Sequence, residues 1–170
     1  EWNFLRSSNS NDFISSPDTS IDGKIINSVG KSLITPPDGF KPLKQISRLL
    51  KERKSNFFDK KSLNWADAEL LAYGSLLLDK KNVRISGQDV IRGTFSHRHA
   101  IYRDAKTYEE YNRLSEMTGD QGEFMIFNSL LSEFAVMGFE YGYSLATPNS
   151  LVIWEAQFGD FYNGAQTIVD

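Results

Sequence analysis

Cysteine is absent from this chain of 170 residues, and its absence removes whole classes of chemistry. Disulfide bridges, thiolate metal sites and cysteine nucleophiles are all excluded. The chain also has no large excess of either charge, because 19 basic residues nearly balance 22 acidic ones and leave a net charge of −3. This balance gives no support for a nucleic-acid-binding stripe or a polybasic membrane patch. Hydrophobic residues make up 40% of the chain, which is enough for the core of a folded domain.

Several motifs with known chemistry are missing as well. The chain has no glycine-rich phosphate loop, no GxGxxG, no GxSxG and no HExxH. No motif therefore supports hydride transfer on a Rossmann site or metalloprotease chemistry. No apolar run approaches the length of a membrane-spanning helix, and no signal peptide is visible. The sequence opens with Glu1 rather than Met and stops abruptly at Asp170, so we expect a piece of a longer polypeptide.

The first part of the chain has the composition of connecting segments. Residues 1–40 are rich in Ser, Asn, Asp and Gly, which predicts irregular chain with one short helix near IINSVGKSL. Apolar residues at helical spacing, with basic residues between them, predict an amphipathic surface helix over 42–55. The polar stretch 104–121 has a similar connecting character, and predicts a surface loop or a short helix.

The rest of the chain alternates between helices and strands. Asn64 suits the N-cap of an apolar, largely buried helix over 65–79. A second helix is expected over 130–145 and a third at the end of the chain. Short apolar runs predict three strands, VRISG (83–87), EFMIFN (123–128) and SLVIWEA (150–156). This order predicts an α/β fold in which helices cover both faces of a parallel sheet.

Polar side chains follow each predicted strand. They are Gln88 and Asp89, then Asn128 and Ser129, then Glu155 and Gln157. In open α/β sheets, ligands bind beyond the carboxyl ends of the strands. The sequence therefore predicts a ligand site at this edge of the sheet.

Glu133 is a carboxylate near the start of an otherwise apolar stretch, FNSLLSEFAVMGFEYGYS. On a helix it shares one stripe with Glu140, so periodicity alone favours a thin solvated stripe on a buried helix. The functional alternative places Glu133 in the first helical turn, just beyond a strand, where it exchanges a proton inside an apolar pocket. The spacing by itself leaves both interpretations open.

The stretch GQDVIRGTFSHRHA concentrates charge-capable side chains within fourteen residues. Arg92 or Arg98 would suit the carboxylate or phosphate of an anionic ligand, and the alternative is a structural loop held by ion pairs. His97 and His99 would point the same way in an extended segment. With Asp89 as a third ligand they match no known metal spacing, so we assign no residue to a metal.

A third stretch, WEAQFGDF, places large aromatic groups beside polar ones. Such aromatics are core residues by default. Because Phe158 and Phe161 are three apart at the exit of a strand, they would also suit a stacking wall for a flat heterocycle.

Taken together, these stretches resemble one enzyme family in order and spacing. The segments are SGQDVIRGTFSHRHA, NSLLSEFAVMGFEYGYS and LVIWEAQFGDFYNGAQTIVD, and the likeness covers about residues 36–170. The family is that of the thiamine-diphosphate-dependent first components of 2-oxoglutarate dehydrogenases. The resemblance implies a transketolase-like pyrimidine-binding domain over 61–170, incomplete at its C-terminus, after an inter-domain linker over 1–60. Residues 1–35 match less clearly, and the stretch 104–121 departs from the better-known members.

The resemblance also implies roles for single residues. Glu133 matches the catalytic glutamate that hydrogen-bonds the pyrimidine nitrogen of the cofactor and relays a proton. Phe161 matches the aromatic residue that packs against the pyrimidine, with Phe158 beside it. Leu131 would offer its backbone near the amine of the ring, and Gln88 matches a glutamine that contacts the cofactor.

Other parts of the resemblance concern the cofactor and neighbouring subunits. The HRH motif (His97, Arg98 and His99) matches positions near the site without an assigned role. Thiamine diphosphate is the implied cofactor, with the diphosphate and its magnesium held by a separate domain that is absent from this chain. In the full-length enzyme that domain normally belongs to the other subunit of a homodimer. The chain alone is therefore expected to be inactive.

The implied activity is oxidative decarboxylation of 2-oxoglutarate, a step of the citric acid cycle. The succinyl group would pass to a lipoyl group on a partner succinyltransferase. The expected compartment is the bacterial cytoplasm or the mitochondrial matrix, and nucleic-acid or membrane partners are not expected. Three alternatives stay open: a 2-oxoadipate-specific relative, a decarboxylase or carboligase without lipoyl transfer, and a non-catalytic assembly module with the same fold.

Overall fold

Parallel strands form the centre of the fold. The computed structural model describes residues 2–162 and 164–170, apart from the side chain of Phe161. The strands are β1 (Asn82–Gly87), β2 (Ile101–Arg103), β3 (Glu110–Asn112), β4 (Phe124–Asn128) and β5 (Ser150–Glu155). β1 is the middle strand of a parallel sheet in the order β4–β1–β5, while β2 and β3 form a separate antiparallel pair. The three predicted strands and their parallel arrangement are confirmed.

Helices lie on both faces of this sheet. They are α1 (Gly23–Ile34), α2 (Lys44–Lys54), α3 (Trp65–Leu78), α4 (Glu133–Ala146) and α5 (Gln166–Val169). Val83 and Ile85 of β1 are buried in the core with α3, whereas Arg84 between them binds Glu140 of α4. Since side chains alternate across a strand, α3 and α4 lie on opposite faces, as the sequence predicts. Within the described residues, no helix has the length and apolarity needed to cross a membrane.

The main hydrophobic core also includes α1, which precedes the predicted domain. Val29 and Leu33 of α1 are buried in the same cluster as Leu70 of α3. Gly74 allows the two helices to approach, because a Cβ atom there would lie 2.2 Å from Cγ1 of Val29. The predicted linker therefore shares a core with the segment that follows it, and the boundary at residue 60 stays a prediction.

The predicted helices are confirmed, and side chains cap the beginnings of α1, α3 and α4. The side chain of Asn64 accepts a hydrogen bond from the backbone nitrogen of Asp67 at 2.8 Å and caps α3 as predicted. α4 begins at Glu133 rather than at residue 130, because the Ser132 side chain caps it by accepting from Ala135. α2 continues directly into a π-helical turn, Ser55–Lys60.

The prediction for 104–121 is wrong in part, because this stretch contains a strand. β3 pairs with β2, and only the turn after it, Arg113–Glu116, is helical. The connection between the two strands is held by the carboxylate of Asp104, which accepts from the backbone nitrogens of Lys41, Thr107 and Lys106. These three donors lower the pKa of Asp104 to about 2. One of the three donors, Lys41, is far from Asp104 in the sequence, so local composition does not predict this turn.

Candidate functional site

A small cleft lies at the carboxyl ends of β1 and β5, against the beginning of α4. It is lined by Gly87, Gln88, Ser129, Leu131, Glu133, Val136, Trp154, Glu155 and Asp160. Gln88, Leu131 and Glu133 come from separate stretches of the sequence, and all three contribute to this cleft. The cleft therefore lies where the sequence predicts a ligand site.

Gly87 allows β1 and β5 to meet at the bottom of the cleft. Its φ is +148°, and a Cβ atom there would lie 2.4 Å from the carbonyl oxygen of Glu155. The carbonyl oxygen of Gly87 accepts a hydrogen bond from the backbone nitrogen of Ser129 at 2.8 Å. One glycine thus joins the three segments that form the cleft: the ends of β1 and β5 and the loop before α4.

Glu133 is the first residue of α4 and is partly buried. The amino end of a helix carries a partial positive charge, which stabilises a carboxylate at this position. Gly164 lies close by, since a Cβ atom there would be 3.6 Å from Oε2 of Glu133. Among the described residues, the Glu133 carboxylate has no hydrogen bond and no ion pair, so it is available to a ligand.

The interpretation of Glu133 and Glu140 as one solvated stripe is wrong. Only 4% of Glu140 is exposed, and its Oε2 lies 2.8 Å from Nε of Arg84 in an ion pair. The two carboxylates on α4 therefore differ, because Glu140 is bound within the protein while Glu133 faces the cleft. Periodicity could not separate them, since their difference depends on a basic residue of β1.

The backbone of Leu131 also presents a free acceptor beside the cleft. Its N–H group donates to Oγ of Ser129 at 3.2 Å. Within the described part of the chain, its carbonyl oxygen accepts no hydrogen bond. This carbonyl is therefore suited to accept from an amine of a bound ring, which is the role the resemblance implies.

The loop after β5 closes one end of the cleft and is tied to the loop after β1. Nε2 of Gln157 donates to the carbonyl oxygen of Gln88 at 3.0 Å. Oδ2 of Asp160 accepts from the backbone nitrogen of Gln157 at 2.7 Å, and Asp160 is buried. The sequence placed Glu155 and Gln157 at a strand end but did not single out Asp160, because its place depends on this turn.

Arg98 of the HRH motif is enclosed by acidic partners. Only 1% of its side chain is exposed, and it forms ion pairs with Glu69 of α3 and Glu155 of β5. It also donates to the carbonyl oxygen of Val90 at 2.6 Å. Burial lowers the pKa of Arg98, but the hydrogen bonds and charges of the two glutamates outweigh this and raise it overall. Arg98 is therefore not free to bind an anionic ligand.

Arg92, the second candidate for an anionic ligand, is also engaged. It forms an ion pair with Asp89 and donates to Oγ of Ser96 at 2.7 Å. Asp89 and Ser96 both have positive φ values, an unusual conformation for residues other than glycine. The loop after β1 is thus held by ion pairs, as the structural interpretation of this stretch predicts.

The two histidines of the HRH motif have different surroundings. His97 packs so closely on Gly93 that a Cβ atom on Gly93 would lie 2.4 Å from Cε1 of the imidazole. Within the described residues, the buried Nδ1 atom of His97 has no hydrogen-bond partner. His99 lines a separate pocket with Arg92, and burial, aided by the charges of Arg53 and Arg92, lowers its pKa. The φ of His99 is +42°, so the condition under which both histidines would point the same way, an extended segment, is not met.

A metal-like cluster occurs beside the cleft in the described part of the chain. Glu69, His97 and Glu155 each offer one ligand atom, and these atoms lie within 4.8 Å of one another. Both carboxylates already bind Arg98, however, and its positive charge opposes a metal cation at the same place. The arrangement is better explained as an ion-pair network than as a metal site.

The predicted aromatic wall is described only in part. Phe158 is 83% exposed and does not line the cleft, whereas Trp154 does. The side chain of Phe161 lies outside the described residues. The roles of Phe158 and Phe161 therefore stay predictions.

The chemistry of the cleft is dominated by acceptors. Glu133, Glu155, Asp160 and Leu131 line it together with the apolar Val136. Glu155 is paired with Arg98 and Asp160 accepts from Gln157, so among the described residues the carboxylate of Glu133 is the unengaged one of the three. Such a set suits a neutral or cationic ring that carries N–H donors, and it repels a phosphate group by like charge. These residues fit an aminopyrimidine.

Curated relatives resemble nearly the whole chain. A protein named 2-oxoglutarate dehydrogenase, mitochondrial, from Dictyostelium discoideum is 54% identical over 89% of the chain, which covers 16% of that relative. The protein of the same name from Caenorhabditis elegans is 50% identical over 91% of the chain, covering 15% of its length. A 2-oxoglutarate dehydrogenase E1 component from Brucella anthropi is 43% identical over 99% of the chain, covering 17% of its length. The chain thus spans about one-sixth of the length of these relatives.

A protein-family model also matches much of the chain. The model of the transketolase pyrimidine-binding domain matches residues 61–170, which include every strand of the sheet and all nine residues of the cleft. This match extends over more than half of the sequence, and the chain belongs to the transketolase pyrimidine-binding domain family.

Proposed function

We propose that the chain is the pyrimidine-binding part of the first, decarboxylating component of a 2-oxoglutarate dehydrogenase. The observation that carries this proposal is the cleft in which the unengaged carboxylate of Glu133 stands beside the free carbonyl of Leu131. Identities of 43–54% to proteins with that name support the same assignment. The reaction is oxidative decarboxylation of 2-oxoglutarate with transfer of the succinyl group to a lipoyl group.

Membership in the transketolase pyrimidine-binding family implies thiamine diphosphate as the cofactor. When bound, thiamine diphosphate supplies the electron-accepting centre that decarboxylation of a 2-oxo acid requires. The residues of the cleft fit its aminopyrimidine ring, because the amine carries hydrogens for a carbonyl acceptor and a ring nitrogen can share a proton with Glu133.

Four residues of the cleft then have a defined task. Glu133 hydrogen-bonds the ring nitrogen of the pyrimidine and holds a proton at that atom. Leu131 accepts a hydrogen bond from the amine through its carbonyl oxygen, and Gln88 contacts the ring from the end of β1. Val136, which is buried, excludes water beside Glu133, which strengthens its hydrogen bond.

The diphosphate group belongs to a different place in the assembled enzyme. The acidic residues that line the cleft disfavour a negative group, and the buried cation Arg98 is fully engaged by glutamates. We therefore assign the diphosphate and its magnesium ion to another domain, contributed by the second subunit of a homodimer. The lipoyl-bearing succinyltransferase is the partner that receives the product, in the bacterial cytoplasm or the mitochondrial matrix.

The assignment is tested by Glu133→Gln in the full-length enzyme. Glutamine keeps the shape of the side chain but cannot hold the proton at the ring nitrogen, so decarboxylation of 2-oxoglutarate should fall by about 100-fold or more. Steady-state assay with thiamine diphosphate and magnesium measures this loss.

Glu123→Gln is the matched control, because Glu123 is exposed at the opposite end of the same sheet, just before β4. This control should keep the activity of the unaltered enzyme. Unchanged decarboxylation in Glu133→Gln would contradict the role of Glu133 and would favour a non-catalytic assembly module.

A further inference from the structure

The HRH motif has no task in the mechanism above, yet its arginine is among the most buried side chains of the protein. Arg98 donates to Glu69 from Nε at 2.6 Å and from Nη2 at 3.1 Å. It also donates to both oxygens of Glu155, from Nη1 to Oε1 at 3.1 Å and from Nη2 to Oε2. One guanidinium group therefore binds both carboxylates in bidentate ion pairs.

Glu155 connects this ion-pair network to the cleft. Its side chain is 25% exposed, and it lines the cleft together with Glu133 and Asp160. Glu69 does not line the cleft and lies on α3, behind Arg98. A movement of Arg98 would thus change the position and the charge of one wall of the site without any direct contact of Arg98 with the ligand.

We propose, on the basis of the function assigned above, that Arg98 is a positioning residue of the pyrimidine site. Through its ion pairs with Glu69 and Glu155, here called the clamp, it holds the Glu155 side chain in the lining of the cleft that also includes Glu133. The negative charge of Glu155 attracts the N–H groups and the positive charge of the bound ring. The HRH motif then acts on the cofactor through the acidic residue at the end of β5.

Several titratable groups surround the ion pairs of Arg98. Two carboxylates within 4.8 Å of each other and of an imidazole would share a proton if the guanidinium were removed. Titratable groups face the clamp from each neighbouring element. They are Glu69 and Tyr73 of α3, His97 of the loop, and Glu133 and Asp160 across the cleft. Burial, aided by the charge of Glu69, raises the pKa of Tyr73, so Tyr73 stays neutral at physiological pH.

A pH-dependent affinity for thiamine diphosphate is the expected signature of a broken clamp. In Arg98→Met, the carboxylates of Glu69 and Glu155 and the imidazole of His97 lose the cation beside them, so this cluster takes up a proton as the pH falls. The dissociation constant should then rise with falling pH, by up to about tenfold per pH unit. Arg98→Lys keeps the charge without the two-pronged geometry, so it should bind more weakly than the unaltered protein but without the pH dependence.

The experiment measures thiamine diphosphate binding to the full-length apo-enzyme by calorimetry, at saturating magnesium and several pH values. The second substitution Glu155→Gln, added to Arg98→Met, should reduce the new pH dependence, because residue 155 then carries no charge that a proton could neutralise. Arg84→Met is the matched control: it breaks another buried ion pair, with Glu140, whose carboxylate does not line the cleft. This control should lower the melting temperature without a pH-dependent dissociation constant.

Two results would overturn the proposal. One is a pH profile of Arg98→Met equal to that of the unaltered protein, and the other is a pH dependence of Arg98→Met that is undiminished after Glu155→Gln is added. If Arg98→Met does not fold, the single variant Glu155→Gln tests the proposal. It should bind thiamine diphosphate more weakly at every pH, and an unchanged affinity would refute the proposal. Failure of the proposed function looks different, because the unaltered protein would then not bind thiamine diphosphate at all.

Discussion

At the residue scale, Gly87 shows how one backbone position sets the geometry of the cleft. Its φ of +148° and the close carbonyl oxygen of Glu155 leave no room for a side chain. Any substitution moves the end of β5, and Glu155 forms one wall of the site. Gly87 therefore affects both the stability of the sheet and the position of a carboxylate that faces the ligand.

Gly87→Ala should lower the free energy of unfolding by about 2 kcal/mol or more, because the new Cβ atom meets backbone that cannot yield easily. Gly142→Ala is the control, since Gly142 lies inside α4 and a Cβ atom there would point into open space. Removing a helical glycine should stabilise the protein by about 0.5–1 kcal/mol. Urea unfolding of both variants measures the difference, and equal effects would show that close packing at Gly87 is unimportant.

The residues of the site differ in how far the sequence reveals them. Glu133 is conspicuous as a carboxylate in an apolar stretch, but its role comes from the family resemblance. The strand-end rule identifies Glu155 as ligand-facing, whereas its clamp by Arg98 depends on Glu69 in a distant helix. Asp160 lines the cleft because of a turn that local sequence does not specify. Long-range ion pairs and turns are thus the features that sequence reasoning misses here.

At the element scale, α2 is more than the amphipathic surface helix that its pattern predicts. Arg53 in its last turn is 1% exposed, although arginine is ordinarily a surface residue. Its guanidinium donates to Asp67 of α3 at 3.2 Å, to the hydroxyl of Tyr102 at 3.0 Å and to the carbonyl oxygen of Arg98 at 2.5 Å. One side chain therefore joins α2, α3, β2 and the HRH loop.

Arg53→Met should destabilise the protein by about 3–5 kcal/mol, since it leaves the buried carboxylate of Asp67 without its cation. Adding Asp67→Leu should recover much of this loss, because both members of the pair are then apolar. Arg48→Met on the exposed face of α2 is the control and should change stability by less than about 0.5 kcal/mol. Chemical unfolding checks all three, and a small effect of Arg53→Met would mean that α2 is held by its apolar contacts alone.

At the scale of the whole molecule, the distribution of charge bears on which part of the cofactor we propose to bind in the cleft. The cleft presents three carboxylates to a ligand, and the two arginines in the loop after β1 are bound to acidic side chains. Under the proposed function, a site of this kind binds the pyrimidine ring, and we assign the diphosphate to another domain of the enzyme.

This division predicts how the isolated chain discriminates between thiamine and thiamine diphosphate. The full-length enzyme should bind the diphosphate at least about 100-fold more tightly than thiamine, because phosphate contacts and magnesium add favourable charge interactions. The 170-residue chain should bind both weakly, and the diphosphate should give no gain in affinity, since the carboxylates of the cleft repel it. Circular dichroism and cooperative thermal unfolding first establish that the chain is folded, and calorimetry then compares the two ligands. Tighter binding of thiamine diphosphate than of thiamine by the chain alone would place a phosphate site within these residues and contradict the prediction.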